Sequence, residues 1–400
     1  MDMQTRTGSA YAWPAEPHAI PRDIFHREDI FCEELERIFH GPVWHPVAHD
    51  AEIPNPHDYK TFLLGERPLL ITRDAHGKVH AHVNACAHRG VLVVPDFRGN
   101  AAQHECPYHR WSYDSAGALR TCPGEQDFIA GFDKVHFGLP PVRLESCWGL
   151  HFATLDAAAP PLATFLEGMD EIIRRILGGD GRLRLLGYQK VRFDCNWKAY
   201  FDQDGWHAPM LHAAFRMLNW TAGKGVLSGT RHGHRNAHYE IVPNPKPPLI
   251  EDPSVIAYRH RPEDGGQLAI LFPTTNMNKQ MDTMTVRYAM PLGPNCTEVH
   301  YTYFAHQDDD EDTRRHRLRQ SSNMLGPSGF ITLEDGAVFN RIQRARGATG
   351  NNYMVKGVRL DADPYTDSAQ NDELQCVVFW DAYRAAMGMQ AAPWGAAAGR

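Results

Sequence analysis

Two short motifs that pair a cysteine with a histidine constrain this chain more than any other feature. Cys86 and His88 form the first motif, and Cys106 and His109 form the second. Two thiolates and two imidazoles can bind one zinc ion, although zinc ribbons favour two cysteines in each loop. The same donors can bind a two-iron, two-sulfur cluster, in which one iron takes both cysteines and the other takes both histidines. The motifs therefore predict a metal centre held by two tight loops at the ends of strand hairpins.

The bulk composition excludes several classes of protein. With 400 residues, of which 42% are hydrophobic, the chain is long enough for two domains with buried cores. A net charge of -7 and scattered basic residues provide no positive field, so no nucleic-acid partner is expected. Residues 1–10 are polar and lack the apolar run of a signal peptide, and no membrane-spanning stretch is visible. The 8 cysteines at irregular spacings fit reduced thiols, so a cytoplasmic location is expected.

The spacing of apolar residues predicts an α+β chain with two domains. Residues 24–40 have apolar side chains at helical spacing, and we place an N-terminal helical segment at 1–43 that packs on the second domain. Residues 44–157 alternate in short runs broken by turn residues, which predicts a small all-β domain that carries both metal-binding loops. Residues 158–400 predict a larger domain, with an antiparallel sheet surrounded by helices. The strands predicted for this sheet are 188–195, 225–227, 238–242, 268–272, 284–290 and 298–304, and the helices predicted around it are 162–176, 309–323, 336–346 and 377–387.

A second group of metal-binding residue types lies early in the larger domain. Asp202, Asp204, His207 and His212 follow one another within a short segment. On a helix that is locally distorted, as Pro209 favours, the two histidines converge on one metal ion. Two histidines and one distant carboxylate leave coordination positions open and suit non-haem ferrous iron. This pattern predicts a second metal site whose carboxylate remains to be identified.

Several longer segments resemble those of one family, the Rieske non-haem iron oxygenases. Residues 86–90 and 106–113 resemble the loops of a Rieske centre, and residues 196–212 look like the iron-binding helix of the family. Residues 325–336 resemble the stretch that supplies the third iron ligand. Residues 379–388 are similar to the C-terminus of the branch that acts on benzoate-like, salicylate-like and phthalate-like acids. The resemblance covers nearly the whole chain and implies the large, catalytic (α) subunit of an aromatic-ring-hydroxylating dioxygenase.

The resemblance implies two metal cofactors, a Rieske-type 2Fe-2S cluster and a mononuclear non-haem Fe(II). The implied cluster ligands are Cys86, His88, Cys106 and His109, and the implied iron ligands are His207, His212 and Asp335. Glu334 is the alternative third iron ligand, and the register of the match favours its neighbour Asp335.

The resemblance also implies that electrons pass between subunits. In the family, the cluster of one subunit serves the iron of the next subunit in a ring of three. Asp204 is then expected between His109 of the adjacent subunit and His207, where its carboxylate accepts a hydrogen bond from each imidazole. The chain departs from its relatives here, because the run 202–204 is two residues shorter than the acidic-Asn-x-x-Asp run common in this branch.

The implied reaction inserts dioxygen into an aromatic ring, by cis-dihydroxylation or by net monohydroxylation, and the expected substrate is an aromatic carboxylic acid. No Gly-rich nucleotide-binding fingerprint is visible, so we expect a separate reductase, with or without a ferredoxin, to supply electrons from NADH. The expected assembly is α3, or α3β3 with a small β subunit. Arg287 is a candidate for binding the substrate carboxylate, and the alternative is an arginine on a solvated strand face.

Two alternative functions would use one or both of the same metal centres. The first is a homotrimeric Rieske monooxygenase that performs O-demethylation or a single hydroxylation with the same metals. The second is a Rieske electron carrier whose larger domain only binds a partner. Two iron atoms per chain rather than three would favour the carrier.

Overall fold

The computed structural model describes residues 11–202, 225–239, 251–252, 256–259, 265–370 and 372–389. These residues form two compact units. The smaller unit is Phe39–Leu162, and the larger unit contains the described residues before and after it. Within the described ranges, no helix combines the length and the apolar character needed to cross a lipid bilayer.

The N-terminal part of the larger unit contains three short elements. Strand β1 is Ala19–Pro21, a 3-10 turn spans Arg22–Phe25, and helix α1 is Glu28–Glu34. A π-helical turn at Leu35–Phe39 continues α1. The single helix predicted over 24–40 is therefore divided, because Arg27 has an extended backbone that separates the 3-10 turn from α1.

The smaller unit is built from three antiparallel sheets, and the predicted small all-β domain is confirmed. Its strands are β2 (His45–His49), β3 (Asp58–Leu64), β4 (Arg67–Arg73), β5 (Val79–Val83), β6 (Arg98–Asn100), β7 (Gln103–Glu105), β8 (Ser112–Asp114), β9 (Leu119–Thr121), β10 (Arg143–Cys147) and β11 (Leu150–Thr154). The strand orders are β10-β11-β2, β5-β4-β3-β6 and β7-β8-β9. Short 3-10 turns span Asp50–Glu52, Glu125–Asp127 and Lys134–His136.

The two cysteine-histidine loops leave different strands of the smaller unit. The first loop follows β5 and leads towards β6, which are not neighbours in the sheet. The second loop connects β7 to β8, which pair directly. Both cysteines join one hydrophobic cluster that also contains Trp111, Tyr113 and Leu139. Both loops therefore pack on one hydrophobic core, which fixes the position of one loop relative to the other.

The larger unit is organised around an antiparallel sheet, as predicted, and the described residues give this sheet eight strands rather than the six predicted. Its strands are β12 (Leu183–Phe193), β13 (Gly225–Gly229), β14 (Arg235–Tyr239), β15 (Gly266–Leu271), β16 (Thr275–Lys279), β17 (Thr285–Gly293), β18 (Cys296–His306) and β20 (Ser368–Ala369), while β19 (Asn351–Tyr353) pairs with β1 outside this sheet. The strand order is β12-β18-β17-β16-β15-β14-β13-β20. Strand β16 was not predicted, because its sequence Thr-Asn-Met-Asn-Lys has little apolar character although most of it is buried.

Helices pack against this sheet. They are α2 (Leu162–Leu166), α3 (Met169–Ile176), α4 (Trp197–Phe201), α5 (Glu311–Gln320), α6 (Thr332–Arg344) and α7 (Leu374–Ala386). A π-helical turn at Ser321–Leu325 continues α5, and a 3-10 turn at Ala345–Gly347 follows α6. Helix α3 contacts β15 and β16, α5 contacts β18, α6 contacts β12 and α4, and α7 contacts β13 and β14. The first seven residues of β17 are consecutively buried, as expected for a central strand covered on both faces.

A buried ionic cluster anchors the start of α4. Glu34, at the end of α1, accepts hydrogen bonds from Lys198 Nζ at 2.5 Å, from Trp197 Nε1 at 2.8 Å and from the Tyr383 hydroxyl at 2.6 Å. Glu34, Lys198 and both aromatic side chains are fully buried. Burial lowers the pKa of Lys198, and the charge of Glu34 opposes that shift. Asn196 caps α4 by accepting a hydrogen bond from the Lys198 N–H at 3.0 Å. This cluster positions the helix that leads into the predicted iron-binding segment.

Candidate metal centres

The first loop of the predicted cluster site closes on itself through its backbone. The Cys86 N–H donates to the Val91 carbonyl at 2.8 Å, and the Cys86 carbonyl accepts from the Gly90 N–H at 2.8 Å. Gly90 has a left-handed backbone with φ of 69°, which glycine adopts without strain. The tight closure holds His88 at the tip of the loop, two residues beyond the sulfur.

The second loop repeats this closure with different residues. The Cys106 N–H donates to the Trp111 carbonyl at 2.8 Å, and the Cys106 carbonyl accepts from the Arg110 N–H at 3.0 Å. Arg110 stands where Gly90 stands in the first loop and also has a left-handed backbone, with φ of 61°. A side chain in this region of the backbone map is uncommon and occurs most often at functional positions. The two loops thus close with the same pair of backbone hydrogen bonds, although the histidine follows the cysteine by two residues in the first loop and by three in the second.

The four predicted cluster ligands come together in the structure. The imidazole rings of His88 and His109 are 4.6 Å apart, centre to centre, and are tilted by 66°. The thiols of Cys86 and Cys106 lie close enough to interact, and both cysteines are buried. His88 is exposed and His109 is half-buried. One side of the site therefore offers two buried sulfurs and the other offers two accessible imidazoles, which fits a cluster with one cysteine-bound and one histidine-bound iron.

The protonation of these side chains also fits a bound metal cluster. Desolvation, the neighbouring His109 ring and the charge of Arg89 all lower the pKa of His88, which favours the neutral imidazole that metals bind. Burial raises the pKa of the Cys106 thiol, and the adjacent Cys86 thiol raises it further. A buried thiol pair ionises readily only when a metal ion supplies the compensating charge.

Tyr113 supplies a hydrogen bond to the site that the sequence analysis did not assign. Its hydroxyl lies 3.2 Å from the Cys86 sulfur and 3.1 Å from the Ala87 backbone nitrogen. Because the Ala87 N–H donates to the hydroxyl oxygen, the hydroxyl proton is left to donate to the sulfur. Hydrogen bonds to cluster sulfurs are one of the means by which a protein sets the reduction potential. Tyr113 stands in the segment that carries the resemblance, but nothing in its spacing shows that it contacts the first loop.

Aromatic side chains support the histidine side of the cluster site. The Trp111 ring stacks on the His88 ring at 4.9 Å with an interplanar angle of 10°. Phe128, Phe132 and Phe137 each lie within 6.0 Å of the Trp111 ring, centre to centre. This packing restricts the orientation of His88 although the histidine itself is exposed.

The structure describes one of the three predicted iron ligands, Asp335. Asp335 lies in the first turn of α6, where it is half-buried and its N–H donates to the Ile331 carbonyl at 3.3 Å. His207 and His212, together with the predicted bridging residue Asp204, lie outside the described residues. The described chain leads into that segment through α4, which ends at Phe201, and through Asp202, which accepts a hydrogen bond from the Trp380 indole. Asp335 is a carboxylate donor of the kind that ferrous iron takes with two histidines.

Arg287 is buried inside the larger unit, so the alternative of a solvated strand face does not apply. Only 7% of the residue is exposed. Its Nη2 donates to the Leu325 carbonyl at 3.0 Å, and its guanidinium carbon lies 5.0 Å from the centre of the Tyr301 ring. Leu325 ends the π-helical turn that precedes the Asp335 segment. Arg287 therefore contacts the backbone that leads to a predicted iron ligand.

Comparison with known protein families agrees with both candidate centres. Residues 43–136 match the family described as Rieske 2Fe-2S domain, and residues 181–387 match the family described as ring hydroxylating alpha subunit (catalytic domain). The first match favours an iron-sulfur cluster over zinc at the two loops. The two matches in this order define a Rieske-type iron-sulfur oxygenase.

Two similar sequences and one similar structure show which members of this class the chain resembles. The chain is 30% identical to terephthalate 1,2-dioxygenase, terminal oxygenase component subunit alpha 2, of Comamonas sp, over 90% of this chain and 92% of the relative. It is 31% identical to the anthranilate 1,2-dioxygenase large subunit of Burkholderia cepacia, over 92% of this chain and 93% of the relative. The structure is similar to that of naphthalene 1,2-dioxygenase from Rhodococcus sp. bound to indole, with a TM-score of 0.81, 25% identity and coverage of 92% of this chain and 94% of the other.

The chain therefore belongs to the Rieske non-haem iron ring-hydroxylating oxygenases, as a large, catalytic (α) subunit. Membership implies a Rieske 2Fe-2S cluster and a mononuclear non-haem iron as its cofactors. The two cysteines and two histidines of the loops are donors of the kind such a cluster takes, and Asp335 is a donor of the kind the iron takes.

Proposed function

We propose that this chain is the catalytic component of an oxygenase that hydroxylates an aromatic carboxylic acid, by cis-dihydroxylation or by monohydroxylation. The observation that carries this proposal is the identity of 30% and 31%, over about nine-tenths of the chain, with relatives named for terephthalate and for anthranilate. Both of these compounds are carboxylated aromatic rings. The structure of Rhodococcus sp. naphthalene 1,2-dioxygenase has the same fold at a lower identity of 25%, and its named substrate has no carboxylate.

The proposed ligand sets are Cys86, His88, Cys106 and His109 for the cluster, and His207, His212 and Asp335 for the iron. When bound, the iron supplies the activation of dioxygen and the cluster supplies electrons. The chain's own residues then have separate tasks. Tyr113 donates to a cluster sulfur, α6 presents Asp335 from its first turn, and Asp204 is proposed to orient the imidazoles of His109 from an adjacent subunit and of His207.

The proposed partners follow from the same relatives. A chain named as a terminal oxygenase component needs a separate source of electrons, so we propose a reductase that uses NADH, with or without a ferredoxin. The names "subunit alpha" and "large subunit" support a small β subunit, and an α3β3 or α3 assembly is proposed for the complex. Mass measurement of the chain expressed with and without a candidate β subunit distinguishes these two assemblies.

The test combines a panel of substrates with labelled dioxygen. The iron-loaded protein is incubated with a surrogate reductase, NADH, and benzoate, anthranilate, salicylate, terephthalate or toluene. Oxygen uptake coupled to NADH with one of the acids, and a product that contains oxygen from labelled dioxygen, is the expected result. Two labelled atoms identify a dioxygenase, and one identifies the monooxygenase alternative. Coupled uptake with toluene alone would contradict the proposed substrate class, and cluster oxidation without any product would support the electron carrier.

Adjacent acidic residues provide a matched pair of variants for the third iron ligand. Asp335→Ala is expected to abolish product formation while the visible spectrum of the cluster is unchanged, because the two metals use separate ligands. Glu334→Ala, one position earlier on α6, is expected to retain turnover. The opposite outcome would assign the ligand to Glu334.

A further inference from the structure

Arg287 is a buried cation without a carboxylate partner among the described residues. It has 7% of its surface exposed, and its contacts among the described residues are the Leu325 carbonyl and the Tyr301 ring rather than a carboxylate. A buried charge is costly unless other groups compensate it. The groups that surround Arg287 therefore show how its buried charge is compensated and which elements it holds together.

The C-terminus of a helix compensates this charge. Helix α5 and the π-helical turn after it run from 311 to 325, and the Leu325 carbonyl accepts a hydrogen bond from Arg287 Nη2 at 3.0 Å. The last carbonyls of a helix carry a partial negative charge and lack partners within the helix, so a cation is favourable at this position. The Tyr301 ring, at 5.0 Å, adds its negative face to the same guanidinium.

The same helix end holds the loop that leads to Asp335. The Asn323 carbonyl accepts from the Phe330 N–H at 2.9 Å, and the Met324 carbonyl accepts from the Ile331 N–H at 3.2 Å. The third carbonyl, that of Leu325, accepts from the Thr332 hydroxyl at 3.1 Å as well as from Arg287. The loop is thus folded back on the last three carbonyls of the helix, and among the described residues Arg287 is the one partner of these carbonyls that comes from the sheet.

The strand that carries Arg287 also contacts the element that leads to the two predicted histidine ligands. Helix α4 packs on β17 and on α6, and it ends just before the segment of His207 and His212. The two elements that lead to the proposed iron ligands therefore both meet β17, α4 by packing and the loop before α6 through Arg287.

We infer that Arg287 is a positioning residue for the mononuclear iron: by fixing the Leu325 carbonyl, it holds the loop before α6, and with it the first turn of α6 that carries Asp335, against the sheet. This inference rests on the proposed function, because it takes Asp335 as an iron ligand. It differs from the role in binding a substrate carboxylate, for which the Nε–H of Arg287, without an acceptor among the described residues, is still available.

The test measures the iron itself. The iron is removed with a chelator, and Fe(II) is added back under anaerobic conditions to the wild-type protein and to variants. The EPR signal of the nitric-oxide adduct of Fe(II) reports how much of the mononuclear site is occupied by iron and how the iron ligands are arranged. In Arg287→Met, Fe(II) affinity is expected to fall by about 10- to 100-fold, the range found when groups that orient metal ligands are removed. Arg287→Lys keeps the positive charge and can still donate to the Leu325 carbonyl, but it lacks the planar fork of the guanidinium. It is expected to recover part of the Fe(II) affinity and the wild-type shape of the signal.

Two further variants separate positioning from general stability. Thr332→Val removes the other donor to the Leu325 carbonyl and cannot affect a bound carboxylate, and it is expected to weaken Fe(II) binding by about 3- to 10-fold. Arg192→Met is the matched control, because Arg192 lies on the neighbouring part of the same sheet but pairs with Glu298 at the surface. Its Fe(II) affinity is expected to equal that of the wild type. A purely structural role of Arg287 would lower the thermal midpoint and leave Fe(II) affinity and the shape of the signal unchanged. If Arg287→Met does not fold, as judged by the cluster spectrum, Arg287→Lys and Thr332→Val decide the question.

Kinetics distinguish the two roles of the arginine. If the panel identifies an acid substrate, the positioning role lowers kcat in Arg287→Met equally for the acid and for its neutral amide. An increase of KM for the acid alone, with wild-type Fe(II) affinity, would overturn the inference and assign Arg287 to the substrate. If no aromatic acid is oxidised by the wild type, the proposed function fails, but the loss of Fe(II) affinity in Arg287→Met still supports the positioning role.

Discussion

The buried pair of Lys198 and Glu34 allows a quantitative prediction about the larger unit. Both residues are fully buried, and Lys198 Nζ lies 2.5 Å from Glu34 Oε1. Lys198→Met keeps most of the length and the apolar stem of the side chain but removes the ammonium group. The Glu34 carboxylate then retains two neutral donors, Trp197 and Tyr383, and loses its only counter-charge among the described residues.

The expected cost is large because the change leaves a charge buried and unpaired. Breaking a buried ion pair from one side costs about 3–5 kcal/mol, whereas exposed pairs contribute about 0–1 kcal/mol. For a unit of this size, about 2–4 °C of melting temperature is lost per kcal/mol, so Tm is expected to fall by about 6–20 °C. Glu34→Gln should have a similar cost, because it leaves Lys198 without its partner. In the double variant no buried charge remains unpaired, and its cost should be clearly less than the sum of the two single changes.

Differential scanning calorimetry of the four proteins measures these effects, with Lys134→Met as the control. Lys134 pairs with Glu125 at 2.9 Å, but both side chains are more than a third exposed, at 35% and 45%. Its loss should cost less than about 1 kcal/mol. Single-variant costs below about 1 kcal/mol at position 198, or strictly additive costs in the double variant, would refute the reasoning.

Three further predictions concern the cluster, the link between the metals, and pH. Tyr113→Phe removes the hydroxyl that lies 3.2 Å from the Cys86 sulfur. Because this hydrogen bond is worth about 1–2 kcal/mol, its loss should lower the reduction potential of the cluster by about 40–80 mV. An unchanged potential in a spectroelectrochemical titration would contradict this contact. Asp204→Asn should keep both metals but lose most turnover, by about 10- to 100-fold, and near-normal single-turnover and steady-state rates would exclude a bridging role. Burial lowers the pKa of His234 from 6.5 to about 4, so the unfolded chain binds more protons between these values. Its contribution to stability, up to about 3 kcal/mol, is present above pH 6.5 and is lost as the pH falls towards 4. Denaturation of His234→Gln at several pH values should show a shallower loss than the wild type, and identical slopes would contradict the assignment.

One predicted helical region and one missed strand show the limits of prediction from local sequence patterns. Apolar spacing identified a helical region at 162–176, but the structure divides it into α2 and α3, because Glu167 and Gly168 both have left-handed backbones, with φ of 47° and 87°. The Gly in this pair is compatible with such a break, whereas nothing in the periodicity predicts it at Glu167. Strand β16 was missed for the opposite reason, since its polar residues are buried by neighbours that lie far along the chain.

The cluster site was predictable because its information is local. Each cysteine and its histidine lie within three residues of one another, and each loop is closed by hydrogen bonds between its own backbone groups. Tyr113 was not assigned a role, because its contact with Cys86 crosses from one loop to the other and has no counterpart in either motif.

Arg287 and Lys198 show what only the tertiary structure decided. A single arginine in a strand has the same sequence pattern whether its side chain is solvated or buried, and the difference here comes from the end of the 311–325 helix and from Tyr301 of the neighbouring strand, which contact the guanidinium. The Lys198 contact with Glu34 joins residues 164 positions apart, so no local pattern predicts it. The sequence by itself therefore indicated the candidate donor residues of the metal centres and determined the order of the two units, since short motifs and periodicities encode them. The surroundings that set the charge, orientation and potential of those donors were decided by the tertiary structure, because electrostatic interactions depend on distance in space and on burial.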